Sequence, residues 1–301
     1  MEGNRFTGAF ATVLVLVLVM ILAVSGISCE RREEASDKIG VVVTILPQVE
    51  FVQSVGGDRV DITVMVPPGA NIHSYEPTPS QMTALSRAEM YVKVGSGIEF
   101  ELVWADKLIA VNKDMLVVDC SKGIEIQEMV VEHEGEYEHG AIDPHIWMAP
   151  LNAQIMVSNI CAGLVQIDPD NDTYYEQNRD AYLQKLARLD RDIREGLSGV
   201  TNRSFMVYHP AFGYFAREYN LTMIAIEEEG KEPTAAGLAH LIAQAKEHEI
   251  KVIFAEPQFN PQSAEVIAEA IGGRVVFINS LAEEYILNLR GLLEELVQAM
   301  E

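Results

Sequence analysis

Short apolar runs rich in β-branched residues alternate with helical patterns twice along the chain, and this alternation limits the fold more than any other feature. The first set of runs covers residues 40–46, 60–66, 90–94 and 115–119, with helical spacing at 49–55, 80–86 and 100–111. The second covers 205–208, 221–226, 251–255 and 275–279, with helices expected at 211–219, 234–247, 261–270 and 283–300. Strands that are apolar throughout, rather than at alternate residues, are buried on both faces, so each set predicts a parallel sheet covered by helices. The expected fold class is α/β, with two lobes, each a parallel four-stranded sheet flanked by helices.

The segment between the sets joins them. Residues 151–167 are apolar at helical spacing, Asp168-Pro169 interrupts, and 172–197 then runs without Pro or Gly as far as Gly196. Leu183, Leu186, Leu189 and Ile193 form one stripe, while Arg179, Lys185, Arg188 and Arg191 supply a solvated face. A helix of about 25 residues reaches ~40 Å, too long for a strand-to-strand crossover. It predicts one long backbone helix as a rigid strut between the lobes. The organisation read from the chain is an N-terminal lobe over 39–168, a connecting helix over 169–200 and a C-terminal lobe over 201–301. The 301-residue length also exceeds what one hydrophobic core usually serves.

Ahead of the lobes, an apolar run reaches Val24, relieved by Thr12, and Ser25-Gly26-Ile27-Ser28-Cys29 is followed by Glu30-Arg31-Arg32-Glu33-Glu34. This pattern reads as an export signal over 1–28, cleaved before a Cys29 that is acylated on sulfur, with 29–38 as a lipid-anchored linker. Gly26 stands where a lipoprotein signal usually has Leu, and an uncleaved N-terminal membrane helix is the alternative. Both place the remainder outside the cytoplasm, attached to a membrane. Besides Cys29 there are only Cys120 and Cys161, at an expected strand end and in an expected helix. Two buried core thiols are expected, with a single bridge as the alternative.

Charge narrows the partners. Against 22 Lys+Arg stand 45 Asp+Glu, a net charge of −23 that loss of 1–28 leaves unchanged. Such a surface repels phosphate backbones, which argues against nucleic acid, and it attracts cations.

Three of the seven histidines occupy unusual positions. His73 follows an expected strand in the loop Pro67-Pro68-Gly69-Ala70-Asn71-Ile72-His73-Ser74-Tyr75-Glu76-Pro77. His145 lies in Asp143-Pro144-His145-Ile146-Trp147, and His209 ends a strand in Tyr208-His209-Pro210-Ala211-Phe212-Gly213. Ligand sites in open parallel sheets lie at the carboxyl ends of strands, so three imidazoles from two lobes can converge there. Taken singly, each has a plainer explanation: a turn residue, a cap for the helix after 150, a satisfied half-buried ring. His240 and His248, on a Lys/Glu-rich helix, are expected in solvent. Between 125 and 143 there are seven acidic residues, no basic one, and His133 and His139. That run reads as a solvated, mobile loop that also serves as an accessory metal-capturing arm.

Together these motifs resemble the metal-binding solute receptors of zinc and manganese ABC importers, the family 9 solute-binding proteins. The resemblance spans nearly the whole mature chain. It is carried by residues 67–79, Asp143-Pro144-His145-Ile146-Trp147, residues 209–215, Glu229-Gly230-Lys231-Glu232-Pro233 and Glu256-Pro257-Gln258-Phe259. It implies two α/β lobes joined by a backbone helix, one metal in the cleft, and His73, His145 and His209 as its ligands. The acidic His-containing loop matches the zinc-type members. Many relatives place an Asp ligand after the last strand, where this chain has Asn279. The fourth position is therefore expected to hold water, Asn279 or a loop residue such as Glu76. Glu232 and Glu256 are read either as groups supporting the ligands or as helix-start caps beside Pro.

Three neutral imidazoles suit Zn²⁺ better than Mn²⁺, which takes more oxygen. The expected function is a high-affinity zinc receptor, monomeric, delivering the ion to an ABC transporter permease. Two alternatives stay open: a zinc hydrolase with a three-His site, and a surface adhesin stabilised by metal. Against the hydrolase, there is no HExxH helix and no recognised nucleophile motif.

Overall fold

A computed structural model describes residues 38–133, 136–227 and 231–300, without side-chain positions over 130–141. The expected export segment over 1–28, Cys29 and residues 228–230 lie outside the described residues. The first sheet contains β1 (Ile39–Val43), β2 (Val60–Val64), β3 (Met90–Lys93) and β4 (Leu116–Asp119), all parallel, in the order β2-β1-β3-β4. Its helices are α1 (Pro47–Gly56), α2 (Pro79–Leu85) and α3 (Glu99–Val111). The second sheet contains β7 (Ser204–Val207), β8 (Thr222–Ala225), β9 (Val252–Ala255) and β10 (Arg274–Phe277), again all parallel. Its order, β10-β9-β7-β8, repeats the winding of the first sheet. All eight strands fall on the apolar runs, because a strand buried on both faces leaves a contiguous sequence signal.

Helix starts follow local chemistry. Pro47, Pro79 and Pro150 occupy first-turn positions where no amide donor is needed. Thr78 and Gln81 form a reciprocal capping box at the start of α2, which fixes the exit of the loop carrying His73.

Two long helices connect the sheets: α4 (Pro150–Ile167) and α5 (Asp172–Gly196), the latter 25 residues long. Tyr175, Tyr182, Leu186, Leu189 and Ile193 are the buried face of α5, which packs on α4, α1 and α9 (Tyr285–Met300). A continuous core runs from the first sheet through these helices to one face of the second sheet. A smaller core, with Met206, Ile224 and Ile253, lies between the other face of that sheet and the helices α7 (Ala235–Glu247) and α8 (Gln262–Ile271). Cys120 and Cys161 are buried free thiols, as the core-thiol reading expects.

One expectation needs correction. The acidic segment, read as a solvated, mobile loop, contains paired strands: an antiparallel ribbon of β5 (Glu128–His133) with β6 (Glu136–Ile142), with a bulge between Glu128 and Val130. At its base the Asp143 amide donates to the Gln127 carbonyl at 2.9 Å, and the Gln127 amide donates to the Tyr214 hydroxyl oxygen at 2.9 Å. Strand pairing and this anchorage outweigh charge repulsion along the segment.

Candidate metal centre

The three singled-out histidines come from three loops at the carboxyl edges of the sheets. His73 lies in the loop between β2 and α2, where its amide donates to Asn71 Oδ1 at 2.9 Å and closes a local turn. His145 sits between β6 and α4. Asp143 Oδ1 accepts both its amide, at 2.9 Å, and its ring Nδ1–H, at 2.8 Å. His209 follows β7 after Tyr208, beside the crevice where the winding of the second sheet reverses. His145 does not cap α4, whose N-cap is Ala149; it precedes the short 3-10 turn Ile146–Met148, and its side chain makes no cap hydrogen bond there.

Each ring turns Nδ1 toward a carboxylate and Nε2 toward the other two rings. His73 Nδ1 is 2.8 Å from Glu99 Oε2, and His209 Nδ1 is 2.5 Å from Glu227 Oε1. A carboxylate partner keeps the proton on Nδ1 and leaves the Nε2 lone pair free. Three such lone pairs face one another: Nε2 of His209 is 3.1 Å from Nε2 of His145 and 3.4 Å from Nε2 of His73. The three ligand atoms all lie within 4.8 Å of one another. Nitrogens about 2.0–2.1 Å from a tetrahedral Zn²⁺ are separated by roughly 3.3 Å, which these spacings approach. Converging acceptors repel until a cation sits at their common point.

Electrostatics keep the donors ready. Burial pushes the His209 imidazole down to about 4, against the upward pull of Glu227, so the ring is neutral at physiological pH. The hydrogen bond from His73 holds the Glu99 carboxyl below the ordinary range. His209 also stacks on Phe259, with ring centroids 4.8 Å apart, and Trp147 meets His145 edge-on at 5.3 Å.

Residues 41–299 match the family profile described as zinc-uptake complex component A, periplasmic (ZnuA). The chain belongs to the ZnuA family. It is 34% identical to the high-affinity zinc uptake system protein ZnuA of Bacillus subtilis (strain 168), over 92% of this chain and 89% of that protein. A crystal structure of ZnuA superposes with a TM-score of 0.82 at 39% identity, covering 88% of this chain and all of the other. The laminin-binding protein Lmb of Streptococcus agalactiae, described as having adhesin and metal-transporting activity, gives 0.77 at 28% identity, covering 88% of this chain and all of the other.

Within this ZnuA-family frame, the remaining expected residues take various places. Asn279 Oδ1 accepts the Leu281 amide at 3.0 Å, so its oxygen closes a turn. Glu76 is exposed on the loop after His73. Glu232 bridges the Tyr208 hydroxyl, at 2.8 Å, and the Ser263 hydroxyl, at 2.5 Å, tying the end of β7 to α8. Glu256 is wholly buried at the end of β9, and neither of its oxygens makes a hydrogen bond of good geometry. Burial, with Glu227 nearby, pushes it up to about 8, although the His209 amide and Ser280 favour its ionised form. His133 and His139 lie on the paired strands of the ribbon, His139 opposite Val130. His240 is exposed, whereas His248 is half-buried with Nδ1 3.2 Å from Ser204 Oγ, a correction to its expected solvation.

The groups missing from the sequence reading are the three orienting carboxylates. Asp143 was visible only as part of a motif. Glu99 and Glu227 lie 26 and 18 residues from their histidines, and no local pattern links them.

Proposed function

We propose that the protein is the extracytoplasmic zinc receptor of an ABC importer, binding one ion through His73, His145 and His209 and presenting it to a permease. The convergence of three Nε2 atoms, each ring backed by a carboxylate, carries this reading. All three donors are imidazoles, which favours Zn²⁺ over Mn²⁺. The fourth position goes to water, since the Asn279 oxygen is engaged with Leu281. Family membership favours a receptor over the hydrolase and over the adhesin.

The wider organisation belongs to the same proposal: a lobe over 39–168, a connecting helix over 169–200, a lobe over 201–301, and a lipid anchor at Cys29 that holds a monomeric receptor beside the permease. No helix among the described residues is long and apolar enough to cross a membrane. His133 and His139 serve as an accessory capture arm. Chelation of zinc-loaded protein tests the reading: a receptor keeps its circular dichroism spectrum and loses only melting temperature. Unfolding on chelation would mark a structural metal. Zinc-dependent hydrolysis of model esters or peptides would mark an enzyme.

A further inference from the structure

The three histidine–carboxylate pairs are alike in chemistry and unlike in exposure. In the Asp143–His145 pair the carboxylate and imidazole side chains are 3% and 4% exposed, and in the Glu227–His209 pair 5% and 8%. In the Glu99–His73 pair they are 50% and 26% exposed. His145 is clamped twice by Asp143, through amide and ring, and His209 is stacked on Phe259. For His73, the ring hydrogen bond to Glu99 fixes the tautomer, and the amide is turned toward Asn71. Two corners of the site are therefore buried together with their carboxylates, while the third, His73 on Glu99, is open to solvent.

We propose that the His73–Glu99 pair is the exchange corner of the site. The ion leaves by parting from His73 first, and Glu99 is the positioning residue that sets how long that bond lasts. A carboxylate on Nδ1–H makes Nε2 a better donor and holds the ring in place, so removing it shortens the bond's lifetime. The ion stays on His145 and His209 until His73 swings aside. A permease that draws Glu99 away from the ring would then start release. This rests on the zinc-receptor reading.

The test follows zinc leaving the loaded protein into an excess of chromophoric chelator, by stopped flow. Glu99→Ala is expected to release zinc about ten-fold faster or more than wild type. Glu99→Gln should fall between the two, and Glu99→Asp should restore the slow rate. The melting temperature of the metal-free Glu99→Ala protein should match wild type, which a merely structural role would not allow. Release from Glu99→Ala at the wild-type rate overturns the proposal, and so does failure of Glu99→Asp to restore slow release. Equilibrium zinc titration of the same samples separates the two readings. Wild type that binds no zinc removes the receptor reading and this inference together. Wild type that binds, with Glu99→Ala releasing no faster, removes only the exchange corner.

Discussion

At the residue scale the site is a set of oriented imidazoles, and the orienting groups are as testable as the ligands. Asp143→Asn keeps the shape of the clamp on His145 but removes its charge; zinc affinity by competitive titration should fall about 10–100-fold. Glu256 gives a second test, through pH. Its folded-state value of about 8 lies above the ordinary 4.5, so the folded protein holds a proton that the unfolded chain has lost. Its stabilising contribution is complete below about 4.5 and is lost as pH rises through about 8. Glu256→Gln should therefore raise the melting temperature of the metal-free protein by several degrees at pH 8 and by little at pH 4; an equal shift at both would contradict the assignment. The three histidines were legible because Pro- and Gly-rich loops at the ends of apolar strands advertise a sheet edge. Glu99 and Glu227 were not, since only the folded sheets bring them to their partners.

At the scale of elements, the alternation of apolar runs and helical patterns located all eight strands of the two sheets. It failed on the ribbon of β5 and β6, where alternate charged residues masked the pairing and the anchoring contact to Tyr214 lies 87 residues away. The base of that ribbon leads straight into Asp143, and the start of α6 (Gly213–Glu218) packs against it. A Cβ at Gly213 would collide with Asp143 Oδ2, so the glycine of the Pro210–Gly213 turn is the space in which the His145 clamp sits. Gly213→Ala should weaken zinc binding by displacing Asp143, with little loss of helix content by circular dichroism. Binding unchanged from wild type would show that the clamp tolerates the shift.

At the scale of the molecule, the lobes are fastened to each other near the site. The indole N–H of the fully buried Trp147 donates to the Ser280 carbonyl at 2.8 Å, and the Tyr285 hydroxyl donates to the Trp147 carbonyl at 2.7 Å. Phe51 on α1 meets Tyr285 on α9 edge-on, with centroids 4.9 Å apart, and one core passes between the two sheets. Tyr285→Phe leaves a buried carbonyl without its donor and should cost about 1–3 kcal/mol in urea unfolding. With the lobes joined through a shared core, loading should involve loops and slight tilts rather than a wide closure. The radius of gyration from small-angle scattering should then be the same with and without zinc; a marked contraction on loading would contradict a rigid frame.

The central claim is that one ion is held by rings from both lobes, and competitive zinc titration of the soluble fragment from residue 30 tests it most directly. Wild type should bind a single equivalent tightly, and His73→Ala, His145→Ala and His209→Ala should each bind far more weakly, while His133→Ala and His139→Ala change affinity little. If the three former variants bind zinc as tightly as wild type, the ion is held elsewhere and the account fails.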